Sequence, residues 1–261
     1  PAKIIFATWK AIKICKDADL VIGFGGYACP PIYLAAAILR KPIFIHEANA
    51  VPGWANRLGA PFAEQIFIAF NRATNQFGRW RDAKLTGMPI RVEIIASGER
   101  SAEEKVVARK NQIEKWKLSL DKPTVLVFGG SQGSVKLNSV IADCLQANIF
   151  GDIVILHSVG LKNEFPQVES DLYRPLNYID RMDLAYAAAD FVIGRAGAMT
   201  VAELTAVGLP ACFVPLPIGN GEQSLNATPV VKAGGALMIP DLEFNADFVR
   251  DQILPIVSNP E

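Results

Sequence analysis

The sequence holds 261 residues, 51% of them hydrophobic and 20% charged, which is ample for two folded domains and excludes a disordered chain. Lysine plus arginine balances aspartate plus glutamate at 26 each, which excludes a chain-wide electrostatic grip on nucleic acid. No apolar run reaches the ~18 residues of a membrane span. The four cysteines (Cys15, Cys29, Cys144, Cys212) and two histidines show no metal-ligand spacing, so reduced thiols in a cytoplasmic protein are expected, with no metal and no cofactor.

Residues 3–16 read as a helix. On its wheel Ile4, Ala7, Ala11, Ile14 and Cys15 form an apolar face, with Lys3, Lys10, Lys13 and Lys16 opposite and no acid between them. Phe6 and Trp9 fall among the lysines, on the wrong side for a core. Two readings fit: lysines snorkelling over partly buried aromatics, or a basic and aromatic surface for a membrane. The chain opens here without methionine and without a signal peptide, which reads as a cut through a longer protein. Asp17-Ala18-Asp19 formally matches a D-x-D metal motif, but it lies just ahead of an apolar strand and is rejected.

Short β-branched runs then alternate with helical patterns, the mark of βα units around parallel sheets. Strands are predicted at 19–22, 42–46, 65–69, 124–128, 153–157, 191–193 and 211–214. Helices are predicted at 30–40, 101–118, 132–146, 182–189, 199–207 and 223–233. Leu85-Thr86-Gly87-Met88-Pro89-Ile90-Arg91 combines a strand end with Gly and Pro, and a charged helical stretch follows. This puts a domain boundary near residue 91, giving domains 1–91 and 92–261.

Three glycine loops follow predicted strands. Gly23-Phe24-Gly25-Gly26-Tyr27-Ala28 fits G-x-G-x-x-A, with Glu47 about twenty residues on, as in a dinucleotide-binding fingerprint. A tight strand-to-helix turn with Pro30 at the first helical position explains it as well. Gly129-Gly130-Ser131-Gln132-Gly133 presents amides and a hydroxyl at a helix start, without the Gly-Lys-Ser/Thr of a Walker loop. Gly194-Arg195-Ala196-Gly197-Ala198-Met199-Thr200 is followed by Glu203, either for a nucleotide or as a Thr200/Glu203 capping box. Two such loops in one half favour an anion-binding face. The cluster Gly219-Asn220-Gly221-Glu222-Gln223-Ser224-Leu225-Asn226 offers amides either as helix caps or as readers of sugar hydroxyls. His46-Glu47-Ala48-Asn49 closes a strand and is either structural or catalytic.

Taken in order, GFGGYA, HEAN with Asn56, GMPIR, GGSQGSVKLN, NYIDRM, GRAGAMTVAE and EQSLNA resemble the bacterial peptidoglycan glycosyltransferases that pass N-acetylglucosamine from UDP-N-acetylglucosamine to lipid I, making lipid II. The resemblance spans almost the whole chain. It implies an α/β protein of GT-B type, two Rossmann-like doubly wound domains facing a cleft, the N-terminal one incomplete. It implies an inverting, metal-independent transfer to the muramoyl 4-hydroxyl. The N-terminal domain would face the acceptor and the cytoplasmic face of the membrane peripherally, through Phe6, Trp9, Lys3, Lys10, Lys13 and Lys16. The C-terminal domain would bind UDP-sugar. Carried over by motif, the donor site uses Arg91, Ser131, Asn138, Ile179 against uracil, Ala198, Met199, Thr200, Val201, Ala202, Glu203 on the ribose, and Gln223 on the sugar, with Asn49 shared. Gly130, Gln132, Gly133, Glu222 and Asn226 lie nearby. The acceptor side holds Tyr27, His46, Glu47 and Asn49, with His46 or Glu47 as the catalytic base unless the family's earlier glycine-rich loop supplies it.

The chain departs from the pattern at Ala28-Cys29, Ala48, Met88 and Glu222, where Val-Ser, Gln, Asn and His or Gln are frequent. Family members also carry an earlier glycine-rich loop with a histidine and a C-terminal helix that returns to the N-terminal domain; neither is expected here. A nicotinamide- or flavin-dependent oxidoreductase built on Gly23–Ala28 and Glu47 is the rival reading. It leaves two glycine loops and the EQSLNA cluster unexplained. A UDP-sugar-binding fragment without turnover is the third.

Overall fold

The computed structural model describes residues 2–71, 78–168, 170–217 and 221–259. It divides into two units, Pro1–Pro89 and Ile90–Glu261.

The N-terminal unit runs α1 (Ala2–Lys16), β1 (Val21–Gly23), α2 (Cys29–Ile38), β2 (Ile43–Glu47), α3 (Trp54–Gly59), β3 (Gln65–Ile68) and β4 (Lys84–Leu85). The strands form one parallel sheet in the order β1-β2-β3-β4. Ile43, Ile45, Ile66 and Ile68 bury one side of it under Tyr33, Ala35 and Ala36 of α2. The α1 face differs from the wheel. A narrow strip of small residues, Thr8, Ala11 and Cys15, is buried, and α1 packs on α2. Ile4 and Ile14, expected inside, are 43% and 70% exposed. Ile4 continues the strip one turn beyond its last buried residue, and Ile14 lies about 90° round the helix from the strip's centre.

The C-terminal unit runs α4 (Val92–Gly98), α5 (Ala102–Lys115), β5 (Thr124–Phe128), α6 (Val135–Gln146), β6 (Val154–Ser158), β7 (Tyr173–Leu176), α7 (Met182–Ala188), β8 (Phe191–Gly194), α8 (Ala198–Val207), β9 (Ala211–Phe213), α9 (Glu222–Lys232) and β10 (Ala236–Met238), then a helical segment over 246–258. Its parallel sheet has the order β10-β9-β8-β5-β6-β7. β5, β6 and β8 are buried along their whole length, as strands covered by helices on both faces must be. The chain leaves β5 towards β6 on one side and returns to β8 on the other. The strand order therefore reverses between β5 and β8, and ligands of such sheets bind at the carboxyl ends of the strands at that point.

Helix starts moved where caps decide them. Ser101 caps α5 in a capping box with Glu104, so the helix begins at Ala102. α6 begins at Val135, behind Ser134 as its cap, and not at Gln132, because Gly130 (φ +91°) and Gly133 (φ +73°) keep the loop going in a conformation other residues resist. β7 and β10 are not predicted from the sequence, and of β4 only its end at Leu85 is. All three are short edge strands, and β7 carries Pro175, which an edge tolerates because one side of its backbone goes unpaired.

Candidate functional site

In the N-terminal unit the chemistry gathers where β2 ends. Glu47 is buried, and three donors hold its carboxylate: Asn49 N at 3.0 Å, Gly53 N at 2.9 Å and Asn56 Nδ2 at 2.9 Å. Tyr33 donates from below to Asn56 Oδ1 at 2.8 Å. Most of the carboxylate's accepting capacity is therefore spent closing the loop 47–56, and it cannot meet a ribose as the dinucleotide reading requires. The first glycine of the β1 loop also has a packing reason. A Cβ at Gly23 would sit 1.9 Å from the Tyr33 hydroxyl. The loop makes room for Tyr33.

His46 lies 2.9 Å through Nε2 from the Gly87 carbonyl, which can only accept, so Nε2 carries the proton and Nδ1 the lone pair. Nδ1 is buried without a partner. The Phe24 ring stands 5.7 Å from the imidazole. Tyr27 is almost fully exposed on the glycine loop.

In the C-terminal unit the two remaining glycine loops stand side by side at the switch point, after β5 and after β8. Two cavities open there. One of about 580 Å³ is lined by Gly129–Lys136, Arg195, Gly197, Thr200, Leu216 and Gln223. The other, about 230 Å³, is lined by Arg91, Phe128, Ser158, Tyr178, Ile179, Met182, Tyr186, Met199 and Glu203, and shares Gly130 and Ser131 with the first. The larger is edged by loop amides at the N-termini of α6 and α8, where backbone N–H groups and the helix dipole favour an anion. The smaller is a slot with one carboxylate, Glu203, and one guanidinium, Arg91, in its wall.

At Glu203 the capping box does not form: Gly197 is the N-cap of α8 and Thr200 lies inside the helix. Instead Glu203 Oε1 takes Arg91 Nη2 at 3.2 Å, and Oε2 takes the Tyr186 hydroxyl at 2.8 Å. Arg91, the N-cap residue of α4, is half-exposed; Glu203 is only 5% exposed.

Other expected residues are placed unevenly. Ile179 is buried in the wall of the smaller cavity, and Met199 stands beside it. Val201 is turned into the core, Ala198 is buried and Ala202 half-buried. Asn138 lines neither cavity. Its Oδ1 faces His157 Nε2 at 3.1 Å and its Nδ2 donates to the Val159 carbonyl at 3.0 Å. Gln223 lines the larger cavity, and its Oε1 accepts from Leu216 N at 2.9 Å. Asn226 is fully buried, 3.4 Å through Nδ2 from the Ala196 carbonyl. Glu222 begins α9 behind Gly221, which has no side-chain cap. Gly219 and Asn220 lie outside the described residues. Among the described residues no three of His, Cys, Asp and Glu gather as a metal-holding group.

Arg195 was not singled out from the sequence. It donates to the carbonyls of Val214 and Pro215, to Asp241 and to Ser134 Oγ. An arginine between two glycines after a buried strand was the available signal: such a cation is either exposed or tied to several partners.

Parallel sheets of this kind, with paired glycine loops at the switch point, define a Rossmann-like nucleotide-binding fold of the GT-B class. Models of the glycosyltransferase family 28 N-terminal and C-terminal domains match residues 2–68 and 124–261. The chain belongs to glycosyltransferase family 28. A relative from Streptomyces coelicolor, named UDP-N-acetylglucosamine--N-acetylmuramyl-(pentapeptide) pyrophosphoryl-undecaprenol N-acetylglucosamine transferase, is 49% identical over 98% of this chain and 68% of its own length. The protein of the same name from Streptomyces avermitilis is 49% identical over 93% of this chain and 65% of its own. The crystal structure of Acinetobacter baumannii MurG superposes with a TM-score of 0.73 at 30% identity, covering 99% of this chain and 71% of that one. The chain thus spans about two-thirds of the length of these curated relatives.

Proposed function

We propose that the protein transfers N-acetylglucosamine from UDP-N-acetylglucosamine to the muramoyl 4-hydroxyl of lipid I, giving lipid II for peptidoglycan. The observation that carries this reading is the pair of cavities that adjoin across Gly130 and Ser131 at the β5/β8 switch point. One is an amide-edged space for a diphosphate and sugar; the other is a slot with Ile179 for a uracil and Glu203 for a ribose. The curated relatives bear the name of the same activity. The rival oxidoreductase needs Glu47 on a ribose, and Glu47 is occupied.

In this reading the uracil lies on Ile179, the ribose hydroxyls meet Glu203, and Ser131 with the amides of 129–133 and 197–200 takes the diphosphate. Gln223 reads the sugar, its Nε2 projecting from an amide whose oxygen is fixed by Leu216 N. The 4-hydroxyl oxygen attacks the anomeric carbon as the bond to the UDP oxygen breaks, inverting the centre. Negative charge grows on the diphosphate, where two helix N-termini stabilise it without a metal, with the Arg91 guanidinium in the adjoining slot. The acceptor's proton goes to a general base, for which the N-terminal unit offers the candidates. Of the expected pair, His46 Nδ1 has the free lone pair, and Glu47 holds the loop that carries Asn49.

The same reading puts α1 at the cytoplasmic face of the membrane, peripherally. Phe6 and Trp9 stack at 6.5 Å, with Lys10 and Lys13 lying 4.7 and 4.8 Å over their rings, yet both aromatics stay 58% exposed. Exposed Ile5 and Ile14 extend this basic and apolar surface. Among the described residues no helix is long and apolar enough to cross a membrane.

The test is transfer of labelled sugar from UDP-N-acetylglucosamine to a lipid I analogue, by this chain and by one extended to its relatives' length. Formation of the inverted disaccharide is expected from the extended chain. Absence of transfer by both, together with calorimetric binding of NADH, would favour the oxidoreductase.

A further inference from the structure

We propose that Tyr186 is a positioning residue for the donor, holding the Glu203 carboxylate turned so that the ribose hydroxyls can reach it; the inference rests on the reading of Glu203 as the ribose's partner. Glu203 has two neighbours, and they grip it unequally. The Tyr186 hydroxyl, on buried α7, donates to Oε2 at 2.8 Å. Arg91 Nη2 reaches Oε1 at 3.2 Å from a half-exposed side chain, which solvent and salt screen. Burial beside the carboxylate pushes ionisation of the phenol up, so Tyr186 remains a donor at every working pH. Each carboxylate oxygen then keeps one lone pair for a ribose hydroxyl.

Without the phenol oxygen this balance is lost. A carboxylate with both oxygens unclaimed pairs with a guanidinium through two parallel bonds, the stronger geometry. Glu203 would turn towards Arg91, and the lone pair left on each oxygen would no longer point to where the ribose hydroxyls lie. Tyr186→Phe removes only the hydroxyl and leaves the ring packed against Phe128, 6.3 Å between centroids.

Calorimetry with UDP and with 2′,3′-dideoxy-UDP, which lacks both hydroxyls, reads the effect. The parent is expected to favour UDP at least tenfold, because a site built for hydroxyls is left unpaired by the analogue. Tyr186→Phe is expected to bind UDP about 5- to 10-fold more weakly and the dideoxy analogue within about twofold of the parent, so that discrimination collapses. In a Glu203→Ala background the same substitution should add nothing, since the two act through one contact. A change in melting temperature alone does not alter the ratio of the two ligands. If Tyr186→Phe keeps the parent's discrimination while Glu203→Ala abolishes it, Glu203 reads the ribose without help from Tyr186 and the inference is wrong. If Glu203→Ala also keeps it, the ribose reading itself fails, and the inference with it.

Discussion

Arg195 and Ser134 tie the two glycine loops of the C-terminal unit to each other. Arg195 leaves the loop after β8 and donates through Nη2 to Ser134 Oγ at 2.7 Å, where Ser134 ends the other loop and caps α6. Its Nη1 meets Asp241 and two carbonyls, so one guanidinium sets the spacing of both amide-bearing loops. A lysine cannot span these partners from a single ammonium. Arg195→Lys is expected to weaken UDP binding about tenfold, leave uridine within about twofold, and cost roughly 2–3 kcal/mol of stability by leaving Asp241 poorly paired. Calorimetry with the two ligands, beside a denaturation curve, checks it.

Glu203→Ala is expected to cost about 1.5–3 kcal/mol of UDP affinity, roughly 10- to 150-fold, with Glu203→Gln between. The structure adds a stability effect that a role on the ribose alone would not predict. Removing the carboxylate orphans the buried Tyr186 hydroxyl, so the alanine variant should also melt lower, by about 1–3 kcal/mol. A variant that melts lower and binds UDP as tightly as the parent would make Glu203 a structural residue only.

How much of this was legible in the sequence depended on where a residue sits. The buried strands β5, β6 and β8 announce themselves, because continuous apolar runs such as Thr-Val-Leu-Val-Phe have few other uses. The loops after β5 and β8 were legible as loops. That they stand side by side was not, since strand order is a long-range property. Edge strands β4, β7 and β10 carry little periodicity. Side-chain direction was the harder part: Asn138 and Asn226 read as ligand amides and lie turned inward on His157, Val159 and Ala196. Glu203, expected either on a ribose or in a capping box with Thr200, forms no such box, while its partner Tyr186, seventeen residues earlier, gave no signal short of the fold.

His157 makes the C-terminal unit sensitive to mild acid. It is fully buried between Tyr173 and Asn138, and burial pushes its pKa down from 6.5 to about 4. Below pH 6.5 the unfolded chain takes up a proton that the folded one refuses. Its contribution to stability is therefore whole above about 6.5 and is lost as pH falls towards 4, about 3 kcal/mol over that window. His157→Gln, which cannot titrate, should be less stable at neutral pH and show a shallower fall. Denaturant midpoints at pH 7, 5.5 and 4.5 for both proteins measure this, and parallel slopes would contradict it.

The α1 surface predicts reversible binding to anionic vesicles, with each lysine near the lipid worth about 1 kcal/mol. Sedimentation with phosphatidylglycerol vesicles should show binding that weakens with salt and weakens further in Phe6→Ser/Trp9→Ser. Equal partitioning of parent and double variant would mean that the aromatics serve only to carry Lys10 and Lys13.

The central claim is that a UDP-sugar sits at the β5/β8 switch point, and hydrogen–deuterium exchange with and without UDP-N-acetylglucosamine tests it most directly. The backbone amides of 129–135 and 197–204 are expected to exchange more slowly when the nucleotide sugar is bound, while those of 23–28 keep their rates. Protection confined to 23–28, or no change at either C-terminal loop with UDP-N-acetylglucosamine at saturation, would contradict the account.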